Sequence, residues 1–293
     1  MPAIALGDFR IDRIVESEGP FALLSELLPD LTPDLLAEHG DWLRPRYIEP
    51  VDERAVMSFH SFILRTGRHT ILIDSCGGND KERPLRPIWH RQQHPYLARM
   101  AAAGVRPEQI DFVFCTHLHA DHVGWNTQLR NGQWVPTFPN AQYLFHGREY
   151  EFWERAHREA IASGAPAPNH GSFADSVLPI VDAGRAVFVA GDHEIERGVH
   201  LEPAYGHTPG ACLLHAKSRT DHGVFIGDAL HSPAQLGNPS LSSAFCWDRA
   251  LSAQTRRALC EKYADTNALM LATHFPDPSG FRWTRHRNGF KLV

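Results

Sequence analysis

The sequence predicts an α/β protein. Three observations predict it: short apolar runs of strand length recur between residues 9 and 272, stretches with helical spacing lie between them, and several strand-like runs end directly in a His or an Asp. With 293 residues, 43% of them hydrophobic and 22% charged, the chain can bury a sizeable core, and no shift of composition marks a boundary, so one domain over 1–293 is expected.

The formal net charge of −5 argues against a nucleic-acid partner, which normally shows as a basic excess or patch. No run approaches the roughly 18 apolar residues of a membrane span, so no membrane partner is expected. Met1 to Asp8 lacks the basic start of a signal peptide, and the cytoplasm is the expected location. Cys76, Cys115, Cys212, Cys246 and Cys260 contain no C-x-x-C and read as small buried hydrophobes in a reducing compartment. Cys76 and Cys115 end strand-like runs near candidate site residues, but neither is assigned as a ligand.

Taken in order, residues 9 to 17 partly alternate apolar and polar and read as an opening strand. Residues 20–50 are Leu-rich and suit short amphipathic helices broken at Pro29 and Pro33: a flap packed on the core, a lid, or the contact of a homodimer. Ser58 to Arg65 and His69 to Ser75 form a hairpin pattern whose second strand runs into Asp74, Cys76, Gly77 and Gly78. A buried carboxylate is costly unless paired, so Asp74 is expected to orient nearby metal-binding histidines rather than to be a ligand. Residues 79 to 94 are a polar loop carrying Trp89, and 95–103 a helix closed by Gly104.

The apolar run Phe112 to Cys115 then delivers Thr116-His117-Leu118-His119-Ala120-Asp121-His122. Imidazole nitrogens and carboxylate oxygens are ligands for borderline metals such as Zn²⁺, and four of them fall within six residues. His117 and His119, two apart at a strand end, point the same way; Asp121 and His122 must lie on a turn or helix start and aim at a second ion. Beyond them come a strand at 141–145, a helix at 150–161 and a connector at 164–171. Strands follow at 186–190, 194–204, 211–217, 224–226 and 268–272, with a helix from Asp248, its N-cap, to Tyr263 before the last. His207 in a tight Gly-bounded turn, Asp228 after Phe225-Ile226-Gly227, and His274 after Leu269 to Thr273 stand at strand ends where distant ligands could enter.

In that order, these motifs resemble the metallo-β-lactamase-fold hydrolases, through Asp74, then His117, His119, Asp121 and His122, then His207, Asp228 and His274, over about Ser58 to His274. The resemblance implies a four-layer αββα sandwich with mixed β-sheets and a dinuclear site. Carried over, His117, His119 and His207 hold one metal, Asp121, His122 and His274 the second, and Asp228 bridges, with Thr116 and Thr208 supporting the ligands beside them. Two Zn²⁺ are the family's commonest occupants, and iron, manganese or cobalt occur in relatives. Iron-redox relatives typically place a Glu at the position of His119, so the His favours hydrolysis.

The implied function is a dinuclear metal-dependent hydrolase opening a small ester, lactone or phosphotriester with a metal-bridging hydroxide. The alternative is an iron-dependent oxidoreductase or sulfur-chemistry enzyme on the same ligands. Asp121 would shuttle the proton. The motifs are similar to those of the acyl-homoserine lactonases and the methyl parathion hydrolase group; the former carry a Tyr three residues after the bridging Asp, where this chain has His231, a candidate donor to substrate or leaving group. Trp89, Trp125, Phe245, Trp247 and Phe275 adjoin the motifs and suggest an apolar pocket for a small-molecule substrate. No Lys follows the motifs to grip a β-lactam carboxylate.

Overall fold

The computed structural model describes residues 3–293; Met1 and Pro2, part of the N-terminal stretch read above, lie outside the described residues. Two compact units divide the chain: residues 1–17 with 59–191, and 18–58 with 192–293.

The first unit is built on a mixed seven-stranded sheet. Its strands are β1 (Ile4–Leu6), β2 (Phe9–Leu23), β3 (Arg54–Arg65), β4 (Thr70–Ile73) and β5 (Phe112–Phe114); after a separate hairpin, β6 (Thr127–Arg130) with β7 (Gln133–Pro136), come β8 (Gln142–His146) and β9 (Ala186–Val189). The order is β1-β2-β3-β4-β5-β8-β9, with β4, β5, β8 and β9 parallel. β5 is wholly apolar, and so is β4 after its half-buried first residue Thr70, as suits strands covered on both faces. Leu72, Val113, Tyr143 and Phe145 belong to one core cluster with Tyr96 and Met100 of the helix Tyr96–Ala102 and with Phe173, Val177 and Ile180. The helix Gly147–Ser163 adds the half-buried Tyr150 and Trp153 to that cluster.

The second unit carries a six-stranded sheet in sequential order: β10 (Glu194–Glu196), β11 (Val199–Pro203), β12 (Cys212–Ser218), β13 (Asp221–Phe225), β14 (Leu269–Leu271) and β15 (Gly280–Phe281). A hairpin of β16 (Trp283–His286) and β17 (Gly289–Leu292) follows. Only β13 and β14 pair in parallel, connected by the helix Arg249–Tyr263. Asp248 caps that helix, its Oδ1 accepting from Leu251 N at 2.9 Å. Leu259, Cys260 and Tyr263 from its inner face pack with Leu213, Val224 and Met270. Arg256 is buried in the same helix and donates to the carbonyls of Ala229 and Pro239 and to Ser252 Oγ, each at 2.9 Å. Burial lowers its pKa to about 10, which leaves it charged at neutral pH and able to hold the chain just after Asp228.

Several elements differ from the sequence expectation. The opening strand does not stop at 17 but continues to Leu23, and within 20–50 the helices are Leu24–Leu27 and Pro33–Leu43, the latter capped by Thr32. The single strand expected at 194–204 is two strands around a turn, because Gly198 takes a left-handed conformation that reverses the chain. The β6–β7 hairpin lies where only a polar turn was read; its Asn131-Gly132 turn is a strong hairpin signal. Among the described residues no helix is long and apolar enough to cross a membrane.

The polar loop at 79–94 is anchored from within. Lys81 Nζ donates to Thr127 Oγ1 at 2.7 Å and lies 3.6 Å from the centroid of the Trp134 ring, while Arg83 makes a two-point pair with Asp175 at 2.6 and 2.8 Å. Burial, opposed by Asp175, pulls the Lys81 ammonium down to about 7. An unfolded Lys titrates near about 10.4, so between those values the unfolded chain holds the extra proton and the folded state gains stability as pH rises. The wild-type stability relative to that of Lys81→Met is therefore expected to increase from pH 7.5 to pH 9.5 in urea titrations; a pH-independent difference would refute this.

Candidate metal centre

In the first unit the site residues stand where two parallel strands leave the sheet. β4 and β5 are in register at Ile73 and Phe114, so Asp74 and Thr116 emerge side by side. Asp74 N donates to Phe114 O at 2.9 Å, and the Asp74 carboxylate accepts from Thr116 N at 2.8 Å and from Thr116 Oγ1 at 3.0 and 3.1 Å. Asp74 itself, with φ 56, holds a left-handed conformation uncommon for a residue with a side chain. With the Thr116 proton directed at Asp74, the hydroxyl oxygen accepts from His117 Nδ1, 3.1 Å away, which leaves Nε2 as the lone-pair nitrogen of that ring. Nε2 lies 3.0 Å from His119 Nδ1.

His122 is fully buried, its Nδ1 3.0 Å from Asp74 Oδ2 and its Nε2 3.9 Å from Asp121 Oδ2. One carboxylate thus touches the residue that orients His117 and His122 itself. The short helix Ala120–Val123 is fixed through its backbone: Ser75 N and Oγ both donate to His122 O. Directly after it, Gly124 packs on the Asp74 loop so closely that a Cβ there would sit 1.9 Å from Gly77 O. Gly77 N and Gly78 N donate to the buried Glu16 at 3.0 and 2.9 Å, and Trp125 Nε1 donates to it at 2.6 Å. Burial pushes the Glu16 carboxyl up despite these three donors.

The second unit repeats the device. β13 and β14 are in register at Phe225 and Leu271, and Ile226 N donates to Leu271 O, so Asp228 and His274 leave neighbouring strand ends. His274 Nδ1 is 3.1 Å from Ser58 O and, as donor to that carbonyl, leaves Nε2 to face Asp228 Oδ1 at 3.1 Å. His207 Nε2 and His231 Nε2 approach Asp228 Oδ2 at 3.1 and 3.2 Å. His207 sits in a turn held to the helix start, with Trp247 N donating to His207 O and Asp248 N to Gly206 O. Any Cβ on Gly206 would meet Ser252 N at 2.3 Å, so the turn requires glycine.

The shared carboxylate sorts the protons. Burial disfavours imidazolium at His207, but the charge and hydrogen bond of Asp228, aided by Cys246, outweigh it and raise the pKa to about 9. At His231 burial wins, with His207 and His274 repelling a second charge, and the pKa falls to about 4, so that ring is neutral at pH 7.

Of the aromatic residues named from the sequence, Trp125 is buried and stacked on Tyr96, and Phe275 is fully buried against Phe281. Trp89 is half-buried, edge-on to Phe59 and His170; Phe245 and Trp247 are 37% and 49% exposed. Thr208 is buried, as are Cys76, beside Ser61, and Cys115, beside Asn126. Sequence reading missed Glu16, Asn126, Glu149, Asn169 and Cys246, whose Sγ lies 3.6 Å from His207 Nδ1. Each is a lone residue that reaches a candidate-site loop from a distant part of the sequence, with no pattern to announce it.

The donor set fits divalent transition metals. His117, His207 and His274 each have Nδ1 beside a hydroxyl, a thiol or a backbone carbonyl and turn Nε2 the other way, and His122 has Nδ1 beside a carboxylate. That is how ligating imidazoles are oriented, with oxygen donors supplied by Asp121 and Asp228.

A profile of the Metallo-beta-lactamase superfamily matches residues 58–274. The chain belongs to that superfamily. The "N-acyl homoserine lactonase AttM" of Azorhizobium caulinodans is 30% identical over 96 residues, 29% of this chain and 32% of its own length, so the chain spans about a third of that relative. Among solved structures, "hydrolase AbOPH in beta lactamase superfamily" matches with a TM-score of 0.81 at 23% identity, covering 99% of this chain and 96% of its own. The dizinc quorum-quenching lactonase AidC matches with a TM-score of 0.79 at 20% identity, covering 100% and 96%. The mixed sheets and mixed α/β content are those of the metallo-β-lactamase fold, the class the motifs pointed to.

Asp74 is 1% exposed, and its loss would strand Thr116 and His122. Asp74→Ala is expected to cost about 3 kcal/mol of stability in urea unfolding of the metal-free protein. A loss under about 1 kcal/mol would show that the carboxylate is not the anchor the geometry makes it.

Proposed function

We propose that this chain is a dinuclear metallohydrolase of a small ester, lactone or phosphotriester. His117, His119 and His207 would hold one ion, Asp121, His122 and His274 the other, and Asp228 would be shared. The observation that carries the reading is the orientation of the imidazoles: within each unit the ring nitrogens not anchored by neighbours face another ligand candidate. Membership of the superfamily and the names of its lactonase and hydrolase relatives support the same class. Zinc suits this borderline nitrogen and oxygen set, and His119 in place of an acidic residue favours hydrolysis over redox chemistry.

When bound, the two ions supply Lewis acidity and lower the pKa of water toward neutrality. Asp121, the least buried of the proposed acidic ligands, accepts the proton of the attacking water and returns it to the oxygen of the leaving group as the bond to carbon or phosphorus breaks. His231, neutral and 3.2 Å from Asp228, directs its ring at that carboxylate and so holds the shared ligand in place. Phe245 and Trp247 offer exposed aromatic surface for an apolar substrate group, and the net charge of −5 disfavours polyanionic substrates.

The test is kcat/KM of the zinc-loaded protein on acyl-homoserine lactones, plain lactones, an aryl ester, a phosphotriester, a phosphodiester and a β-lactam. One of the first four classes is expected to exceed the last two by about a hundredfold, or about 2.7 kcal/mol of transition-state discrimination. His119→Ala and Asp228→Ala are each expected to lose bound metal and at least about 100-fold in kcat/KM while keeping the far-UV spectrum of a folded protein. Retention of two ions and full activity in either variant would overturn the ligand assignment.

A further inference from the structure

The two peptide units that link the first two proposed ligands are each held by a side chain outside the motif. Leu118 N donates to Glu149 Oε1 at 3.1 Å, and Leu118 O accepts from Asn169 Nδ2 at 2.7 Å. Asn169 Oδ1 also accepts from Ala120 N at 3.1 Å, so one amide spans the backbone on both sides of His119. Glu149 is 1% exposed and lies on the first turn of the helix Gly147–Ser163; it also accepts from Trp153 Nε1 at 2.8 Å, and the Trp153 ring stands edge-on to His119 with centroids 5.6 Å apart.

Asn169 reaches its position at a conformational cost. Asn169 and His170 are consecutive left-handed residues, φ 50 and 55, in the turn Pro168–Gly171. Such φ values are unfavourable for side-chain-bearing residues, least so for Asn, and persist where surrounding contacts determine them. The two hydrogen bonds from the Asn169 side chain to the loop at 118–120 are such contacts. Leu118 N lies in the peptide plane shared with His117 and Leu118 O in the plane shared with His119, so a rotation of either plane would change the direction of one imidazole relative to the other.

We propose that Asn169 and Glu149 are positioning residues that set the angle between His117 and His119 and thereby the affinity and geometry of the ion those two ligands hold. The inference rests on the ligand reading above and deepens it. Neither residue touches a reacting atom; each acts through the backbone that carries the ligands.

The experiment compares Asn169→Ala, Asn169→Asp, Glu149→Ala and Glu149→Gln in the full chain. Zn²⁺ affinity is read by chelator competition, ligand geometry by the d–d absorption of the Co²⁺-loaded protein, and stability by urea unfolding without metal. Asn169→Ala and Glu149→Ala are expected to weaken binding of one Zn²⁺ by about 10- to 100-fold and to shift the Co²⁺ bands. Asn169→Asp, which keeps the acceptor for Ala120 but sets an oxygen against Leu118 O, should behave like Asn169→Ala and serves if the latter does not fold. Glu149→Gln retains an acceptor for Leu118 N and is expected to recover affinity to within about threefold of wild type. A lowered urea midpoint with unchanged Zn²⁺ affinity and an unchanged Co²⁺ spectrum overturns the proposal, since it would show a structural role alone. His119→Ala separates the two levels: if it loses metal while the Asn169 and Glu149 variants bind normally, only the positioning role fails, whereas metal retention in His119→Ala means that the ligand reading has failed.

Discussion

In the first unit the candidate site residues depend on one buried carboxylate. Asp74 leaves β4 at the point where β5, its parallel neighbour, also ends, and the charge cannot remain there without donors. Thr116 supplies two of them, one to each oxygen, and His122 Nδ1 approaches Oδ2. The need to satisfy one side chain therefore fixes the loop after β5, the tautomer of His117 through the Thr116 hydroxyl, and the placement of His122. Around it the backbone is packed without slack, with Gly124 against Gly77 and Glu16 gathering the N–H groups of Gly77 and Gly78.

Asp228 plays the corresponding part in the second unit. It is the acceptor on which three imidazole nitrogens converge, and the surroundings give those rings different proton affinities: His207 held up to about 9, His231 pulled down to about 4. A carboxylate shared by several imidazoles in a buried setting favours exchange of their protons for a cation, which is the physical basis for proposing metal binding there. In both units the residues stand at the C-terminal ends of a parallel strand pair inside a mixed sheet. That location suits function because strand register, set by core packing, fixes where the following loops begin.

The interior positions that support the site are costly in themselves. Buried Arg256 and Lys81 anchor loops by donating to carbonyls, hydroxyls and an aspartate, and Asp74, Asn169 and His170 hold left-handed backbone conformations. Such features destabilise a fold unless the neighbouring structure requires them, and here they border the residues proposed to carry chemistry.

How much of this was legible in the sequence follows from the range of each interaction. The spacing His117-x-His119-x-Asp121-His122 after an apolar strand, and His207, Asp228 and His274 at later strand ends, are local patterns, so the superfamily and the candidate ligands could be read from the chain alone. The two short hairpins went unread in part, since β6–β7 carries its signal in only two residues, Asn131-Gly132. What the tertiary structure decided is which distant groups answer the candidate ligands: Ser58 O for His274, Cys246 for His207, Glu149 and Asn169 for the backbone of Leu118. These are single polar residues without periodicity, separated from their partners by tens to hundreds of positions. A hydrogen bond depends on distance and angle in the folded chain, and nothing in the residue type of an isolated Asn or Glu specifies them.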